Sequence, residues 1–334
     1  MLKLGFAKSD ITPRVGVELC GFGPYRLRQS TSVRDPLYAR AMAVELGPKR
    51  LLILSCDLVG STAALTSQVR RLLYRQCAIP CEAVMLSCSH THSGPATGPY
   101  IGWGEPDAVY VGTLAARIAA AGVAAIAALE PATLAHAEVP CEGLALNREY
   151  DRDAPPLAEV LREDWRPAKP ELTDTTCQVL TGRAADGRLL GFVSYFSCHP
   201  VVCCAANTQI HGDYCGVATN LLEREAPGSV GLFLQGTQGD INSCVVHKGE
   251  QESLYALDIL ASRYARAVRP GLRSAMPLTI DRLVCHSRRQ PFSRAPWGEA
   301  ELRRQELEFQ TFLEQAGVSD AVPASGPREV HLTL

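Results

Sequence analysis

At 334 residues, with 46% hydrophobic and 20% charged side chains, the chain has ample material for a core, and its composition excludes disorder. A net charge of -2 offers no basic surface for nucleic acid or acidic lipid. The thirteen cysteines are odd in number and the start, MLKLGFAKSDITP, lacks a secretory apolar segment, so reduced thiols and a cytoplasmic location are expected.

In chain order, Arg50 to Ser55 reads as a strand, Ser67 to Gln76 as a helix and Ala83 to Ser87 as a strand. The last of these runs into Ser89-His90-Thr91-His92-Ser93-Gly94-Pro95. Side chains alternate along a strand, so if the strand persists through Ser89, His90 and His92 face one cleft from its end. Gly94 and Pro95 then turn the backbone away. Neutral imidazole suits zinc, and a catalytic zinc keeps three protein ligands and one open position. One imidazole could hold metal while the other meets substrate, or both could be ligands. An isolated His-x-His fits equally a pair of strand-end histidines satisfied by hydrogen bonds.

Val111 to Leu129 is nearly all apolar, but Arg117 interrupts it and alanine and glycine dominate, which predicts a helix buried against a sheet and not a membrane span. An extended segment follows at Thr133 to Val139. Asp151 to Leu172, rich in proline and charge, reads as a long surface excursion of the kind that forms lids. Thr176 to Thr181 and Arg188 to Ser197 make a hairpin-like pair around Ala185-Asp186-Gly187, and the second strand delivers Cys198-His199-Pro200. A run containing His211 and Asp213 leads into a helix, Val217 to Glu225. Val230 to Leu234 is a strand ending in a glycine-rich turn with Asp240 and Asn242. Leu254 to Val268 reads as a helix, Leu278 to Cys285 as a strand, Glu299 to Gly317 as a charged amphipathic helix, and Glu329 to Leu334 as the start of a strand.

No internal repeat or linker is visible. The alternation predicts an α/β fold, a layered mixed sheet with helices packed on it. Ligands bind at the carboxyl ends of strands in open α/β sheets, so the three polar turns carrying histidine, aspartate and asparagine are expected to converge. Cys198, Cys203, Cys204 and Cys215, which surround His199 in sequence, are expected as buried apolar thiols.

Several motifs, in order, resemble the neutral (non-lysosomal) ceramidase family, zinc-dependent amide hydrolases that cleave the N-acyl bond of ceramide. They are Asp10-Ile11-Thr12-Pro13 with Gly21-Phe22-Gly23, Arg34 to Ala41, Ser89 to Pro95, Asn147-Arg148, His199-Pro200, Gly212-Asp213-Tyr214 and Gly239-Asp240. The resemblance runs to about Asn242. It implies Zn2+ held by His90 and His199, His92 beside the reacting group, Arg148 as a polar substrate contact, and the Gly21 backbone in the pocket wall. His211 stands where the family more often has a small or polar residue and is expected in the cleft wall.

Two departures bear on the substrate. The family pattern is Gly-Asp-x-Ser-Pro with a catalytic serine; here Asn242 takes the serine position and Ser243 that of the proline. Asparagine cannot act as an activated nucleophile, but it can donate hydrogen bonds to a developing oxyanion. Ser243 would substitute only in a shifted register, so a water activated by the metal is the expected nucleophile. The family also draws its remaining zinc ligands, a glutamate after Pro-Gly and a tyrosine, from beyond the matched region, and this chain has no Pro-Gly-Glu. Residues 1–334 are therefore expected to form a single ceramidase-like catalytic domain lacking its C-terminal part; otherwise Asp57, Asp213 or Asp240 supplies the third ligand.

The expected function is a cytoplasmic zinc-dependent hydrolase cleaving a carboxamide (N-acyl) bond of a soluble small molecule and not ceramide itself. His92 would shuttle a proton or donate to the oxyanion, Asp240 would orient its turn, and Asn242 would hold the substrate. The alternatives are a catalytically impaired small-molecule-binding protein that keeps the cleft, and a zinc enzyme of another reaction class.

Overall fold

A computed structural model describes residues 1–23, 27–98, 102–150, 155–288, 290–291 and 297–315. Its elements in chain order are β1 (Leu2–Asp10), β2 (Ser32–Val33), β3 (Tyr38–Leu46), β4 (Lys49–Cys56), α1 (Ala63–Cys77), β5 (Val84–Cys88) and α2 (Ala108–Ala127). They continue with β6 (Glu130–Pro140), β7 (Ala145–Asn147), α3 (Leu157–Val160), β8 (Thr176–Ala184), β9 (Leu189–Phe196), β10 (Gln209–Ile210) and α4 (Asp213–Glu225). The last are β11 (Val230–Gln235), β12 (Ile241–Ser243), α5 (Glu250–Ser274), β13 (Met276–Pro277) and α6 (Glu299–Gln315).

Eight strands hydrogen-bond in the order β11-β9-β8-β6-β1-β3-β4-β5, with β13 added on β6. The outermost pairs, β4 with β5 and β11 with β9, are parallel and the inner pairs antiparallel. At the middle of this order, β1 and β6 pair through only two residues each, Lys3 with Pro131 and Leu4 with Glu130. The sheet folds over at that short joint, so its halves face one another. Leu4, Met42 and Val44 from one half meet Leu190, Val193 and Leu232 from the other. Ser55 of β4 donates a hydrogen bond to the Phe233 carbonyl of β11 across the same interface. Helices α1 and α2 cover the outer face of the first half, and α4 and α5 that of the second. Three antiparallel strands, a helix, a parallel edge strand and a further helix thus occur twice. Sequence shows no such repeat because what recurs is the order and pairing of elements.

Strand β1 shows why both faces are dry. Leu2, Leu4 and Phe6 enter the core between the halves, whereas Gly5 and Ala7 face α2. Neither β1 nor β3 stands out in the sequence, since LKLGFAKSD and YARAMAVEL carry few β-branched residues. Small residues are required there: a Cβ on Gly5 would lie 2.0 Å from the Ala125 carbonyl oxygen of α2. By length and composition α2 could cross a membrane. In this structure its Leu114, Ala115, Ile118, Ala119, Ala121 and Ala125 are buried in the outer core of the first half.

Two expectations need correction. Leu278 to Cys285 is not a strand: regular pairing stops at Pro277, with one further bond from Leu278 N–H to the Leu134 carbonyl. The alternating pattern there packs Leu283 and Cys285 against the two cores without a ladder. The described part of the 151–172 excursion is not a detached lid. Val160 and Trp165 are buried, and the Arg263 guanidinium of α5 binds the carbonyls of Val160, Leu161 and Arg162. Residues 151–154, the end of the predicted C-terminal helix at 316–317 and the predicted strand from Glu329 to Leu334 lie outside the described residues.

Gly5→Ala is expected to destabilise the fold by at least about 1–3 kcal/mol, because the methyl has only backbone to displace. Gly112→Ala, on the open face of α2, removes a helix-interior glycine and is expected to stabilise by up to about 1 kcal/mol. Urea unfolding of both variants measures the contrast; equal midpoints would show that α2 does not press on β1.

Candidate active site

The loops after β4, β5, β9 and β11 meet at one end of the folded sheet. Strand β5 ends at Cys88, so His90 and His92 do not share a face by strand alternation as expected. Instead Ser89 N–H bonds the Cys56 carbonyl at 2.9 Å, and His90 N–H bonds the Leu58 carbonyl at 2.9 Å. His90 then takes a left-handed backbone, φ 68°. This sharp turn, held by the loop after β4, brings both rings to the same cleft, their centroids 5.0 Å apart. His199 arrives from the loop after β9, its centroid 4.6 Å from that of His90 and 5.0 Å from that of His92. One ring nitrogen from each of the three histidines lies within 4.8 Å of the others.

Their hydrogen bonds assign the tautomers. His90 Nδ1 lies 2.6 Å from the Val59 carbonyl oxygen and His199 Nδ1 lies 3.2 Å from that of Gln238. A carbonyl only accepts, so both Nδ1 atoms carry the proton and both Nε2 atoms present lone pairs to the cleft. His92 is the reverse. Its Nδ1 accepts from Phe22 N–H at 3.3 Å, so its proton sits on Nε2, 3.1 Å from His199 Nε2. Two acceptor nitrogens and one donor converge.

The surroundings keep these rings neutral. Burial lowers the pKa of His90 and, much further, that of His92, and brings His199 down to about 4. Repulsion from neighbouring histidines adds to the fall for His92 and His199, and the Arg148 charge acts in the same direction on all three.

The wall around His92 comes from Gly21, Phe22 and Arg28. Gly21 has φ 116°, and a Cβ there would lie 2.5 Å from His92 Cγ. Only glycine allows the Phe22 amide to reach His92, and the Phe22 ring packs edge-on against it at 4.9 Å. Buried Arg28 binds the His92 carbonyl at 2.9 Å and that of Asn207 at 3.0 Å, so one guanidinium joins two loops of the site. Sequence reasoning missed Arg28, which reads as one more charge in a glycine-rich loop.

Arg148 follows β7, which pairs with β12. Its N–H bonds the Asp240 carbonyl at 2.8 Å, while the Asp240 carboxylate accepts from the Asn147 side chain at 3.2 Å. Asp240 therefore braces the turn that carries Arg148. Asn242 forms a backbone bridge beside His199, whose N–H bonds the Ile241 carbonyl at 3.0 Å. Among the described residues its buried amide has no hydrogen-bond partner, which leaves it available to a ligand. Ser243 lies on the opposite face of β12, fully buried, with its hydroxyl donating to the Val245 carbonyl at 2.7 Å. Its hydroxyl is therefore turned away from the cleft.

His211 is not a cleft-wall residue: it is fully buried with Cys203 and Asp213. Its Nδ1 accepts from Asp213 N–H at 3.1 Å and its backbone carbonyl from the Thr91 hydroxyl at 3.0 Å. The Asp213 carboxylate takes backbone N–H groups of Tyr214, Val202 and Cys203. This second cluster satisfies itself and ties the start of α4 to the loops carrying His92 and His199. Asp57, the other acidic candidate, is bound by Arg40 at 2.7 Å.

Residues 2–251 match the sequence model for the N-terminal part of neutral/alkaline non-lysosomal ceramidases. The chain belongs to this ceramidase family. In fold it is similar to a neutral ceramidase from Pseudomonas aeruginosa, with TM-score 0.70 and 22% identity over 81% of this chain and 44% of that one. It is likewise similar to a ceramidase complexed with C2, with TM-score 0.67 and 23% identity over 81% of this chain and 43% of that one. The chain spans less than half the length of either relative, and within the ceramidase region all three imidazoles fall inside the matched residues.

These depressed imidazole pKa values have a consequence for stability. Below the ordinary value of about 6.5 the unfolded chain protonates histidines that the fold keeps neutral, so stability drops as pH falls, down to about 4 for His199 and about 3 for His211. Asp213, which burial raises to about 6, works in the opposite direction between that value and 3.8. One carboxyl against four imidazoles leaves a net loss. Urea midpoints of metal-free protein should fall steadily from pH 7 to pH 5; a level profile would contradict the neutral cluster.

Proposed function

We propose that this chain forms the catalytic centre of a zinc-dependent hydrolase that cleaves the N-acyl bond of an amide. The observation that carries the reading is the reversed tautomer of His92 beside His90 and His199. His90 and His199 would hold the ion through Nε2, with each Nδ1–H already anchored on a backbone carbonyl, the arrangement that orients zinc-binding imidazoles. Zinc, when bound, supplies a Lewis acid that polarises a carbonyl and lowers the pKa of a water it holds. Two imidazoles are fewer than the three protein ligands usual at catalytic zinc, so at least one more is required. Asp57 and Asp213 are engaged elsewhere.

The remaining roles follow from the donors each side chain offers. His92 Nε2–H, which faces His199 Nε2 at 3.1 Å here, would be released once that nitrogen holds the ion, and could then stabilise negative charge on a substrate oxygen or pass a proton to the leaving amine. The Asn242 amide, without a protein partner, adds a second donor. Arg148, exposed at the mouth with its turn braced by Asp240, contributes positive charge towards a polar part of the substrate. Gly21 keeps the wall close enough for the Phe22 amide to lock His92.

The relatives are ceramidases, which supports an N-acyl amine as the substrate class. With Asn242 in place of the serine and Ser243 turned inwards, we place the substrate among soluble amides. Thirteen cysteines without a disulfide suit a reducing cytoplasm.

In metal analysis, His90→Ala and His199→Ala should each lose the bound zinc while unfolding cooperatively. Asn242→Ala should keep its zinc and lower kcat on short N-acyl amines about 10²- to 10³-fold, the effect of deleting one oxyanion donor. Full zinc occupancy with no turnover of any N-acyl amine, ceramide included, would favour a binding protein built on the same cleft.

A further inference from the structure

Beneath the histidines lies a buried charge network. Arg40 projects from the inner face of β3, on the same side as Met42 and Val44, and is 2% exposed. Its guanidinium binds Asp57 Oδ2 at 2.7 Å, Asn220 Oδ1 at 2.5 Å and Glu223 Oε1 at 3.3 Å, and Lys8 binds Glu223 from the other side at 2.5 Å. Desolvating an arginine and two carboxylates is costly, and such groups often add less stability than an apolar replacement would. Their placement therefore calls for another reason.

Asp57 stands at the head of the loop that holds His90. Its carboxylate accepts from both Arg40 and Tyr38 N–H, and its own N–H bonds the Tyr38 carbonyl at 3.0 Å. The next two residues supply the two carbonyls that act on His90: Leu58 to its N–H and Val59 to its Nδ1. The backbone of His90 is left-handed, a conformation unfavourable for a residue with a Cβ, so those bonds must hold it there. The second half of the fold packs beside Asp57 through the start of α4. A Cβ built on Gly216 of α4 would lie 3.6 Å from Asp57 Oδ1, and one on Gly212 also 3.6 Å from it.

We propose that Asp57, clamped by Arg40, is a positioning residue for the metal site: it fixes the 57–59 loop so that the Val59 carbonyl holds the His90 proton on Nδ1 and leaves Nε2 for the ion. The role rests on the zinc reading above for its metal part. The tautomer part can be read without metal.

The test uses Asp57→Asn, which keeps shape and an acceptor but removes the charge opposite Arg40, and Leu73→Ala, which opens a cavity under α1 and touches none of these bonds. In zinc-free protein, imidazole 15N NMR should show His90 as the Nδ1–H tautomer in wild type and in Leu73→Ala, and as a mixture in Asp57→Asn. Zinc affinity should fall about 10- to 100-fold in Asp57→Asn, the range for loss of an outer partner of a metal ligand, and stay at the wild-type value in Leu73→Ala. If Asp57→Asn does not fold, Arg40→Lys, which cannot span Asp57, Asn220 and Glu223 together, should show the same two changes. A folded Asp57→Asn or Arg40→Lys with wild-type tautomer and affinity overturns the proposal, as does an equal loss in Leu73→Ala. Wild type that binds no zinc would remove the zinc reading, while a changed His90 tautomer in Asp57→Asn would still sustain the positioning role.

Discussion

A peptide carbonyl can only accept a hydrogen bond and a peptide N–H can only donate one, and the chemistry of this cleft follows from where each has been placed. Carbonyls at Val59 and Gln238 face Nδ1 of His90 and His199, whereas an amide at Phe22 faces Nδ1 of His92. Three identical side chains thereby acquire two different roles before any ligand arrives. Burial reinforces the division, because a protonated imidazole would have to be held among two others and near Arg148.

The architecture explains how backbone from four separate loops can be held to that tolerance. The first half of the fold contributes His90 and His92 and the second contributes His199 and Asn242, and the halves share a core of interleaved apolar side chains. Polar ties cross at the site itself. Arg28 joins the His92 and Asn207 loops, Arg40 joins β3 to α4, and Asn207 donates to the Ser93 hydroxyl at 3.1 Å. Glycine occurs where loop backbone must approach a ring closely, as at Gly21 against His92.

Much of the site was legible because histidine at the end of an apolar run is a conspicuous signal, and two such signals, at His90 to His92 and at His199, appear in a recognisable order. The helices were legible for a similar reason: α1, α2, α4 and α5 have long periodic patterns, although each of the four begins three or four residues before the pattern does. Strands β1 and β3 were not, since tight packing against α2 selects glycine and alanine, which have low strand propensity. The turn at His90 was also hidden, because nothing in Ser-His-Thr-His marks a left-handed histidine. Arg28 and Arg40 escaped notice for a different reason, and Asp57 reads in the sequence only as a possible metal ligand and not as the partner of Arg40. Their roles depend on partners from 17 to 183 positions away, such as Asp57 for Arg40 and Glu223 beyond it, and charge in a sequence ordinarily reads as surface.

The claim on which everything else turns is that metal binds at His90 and His199, beside His92, and not at Cys203, His211 and Asp213. X-ray absorption at the zinc edge of the loaded protein tests it most directly. The account predicts a first shell of nitrogen and oxygen only, with imidazole nitrogen at about 2.0–2.1 Å and the outer-ring scattering of two histidines. A sulfur scatterer at about 2.3 Å would place the metal on Cys203 and contradict it.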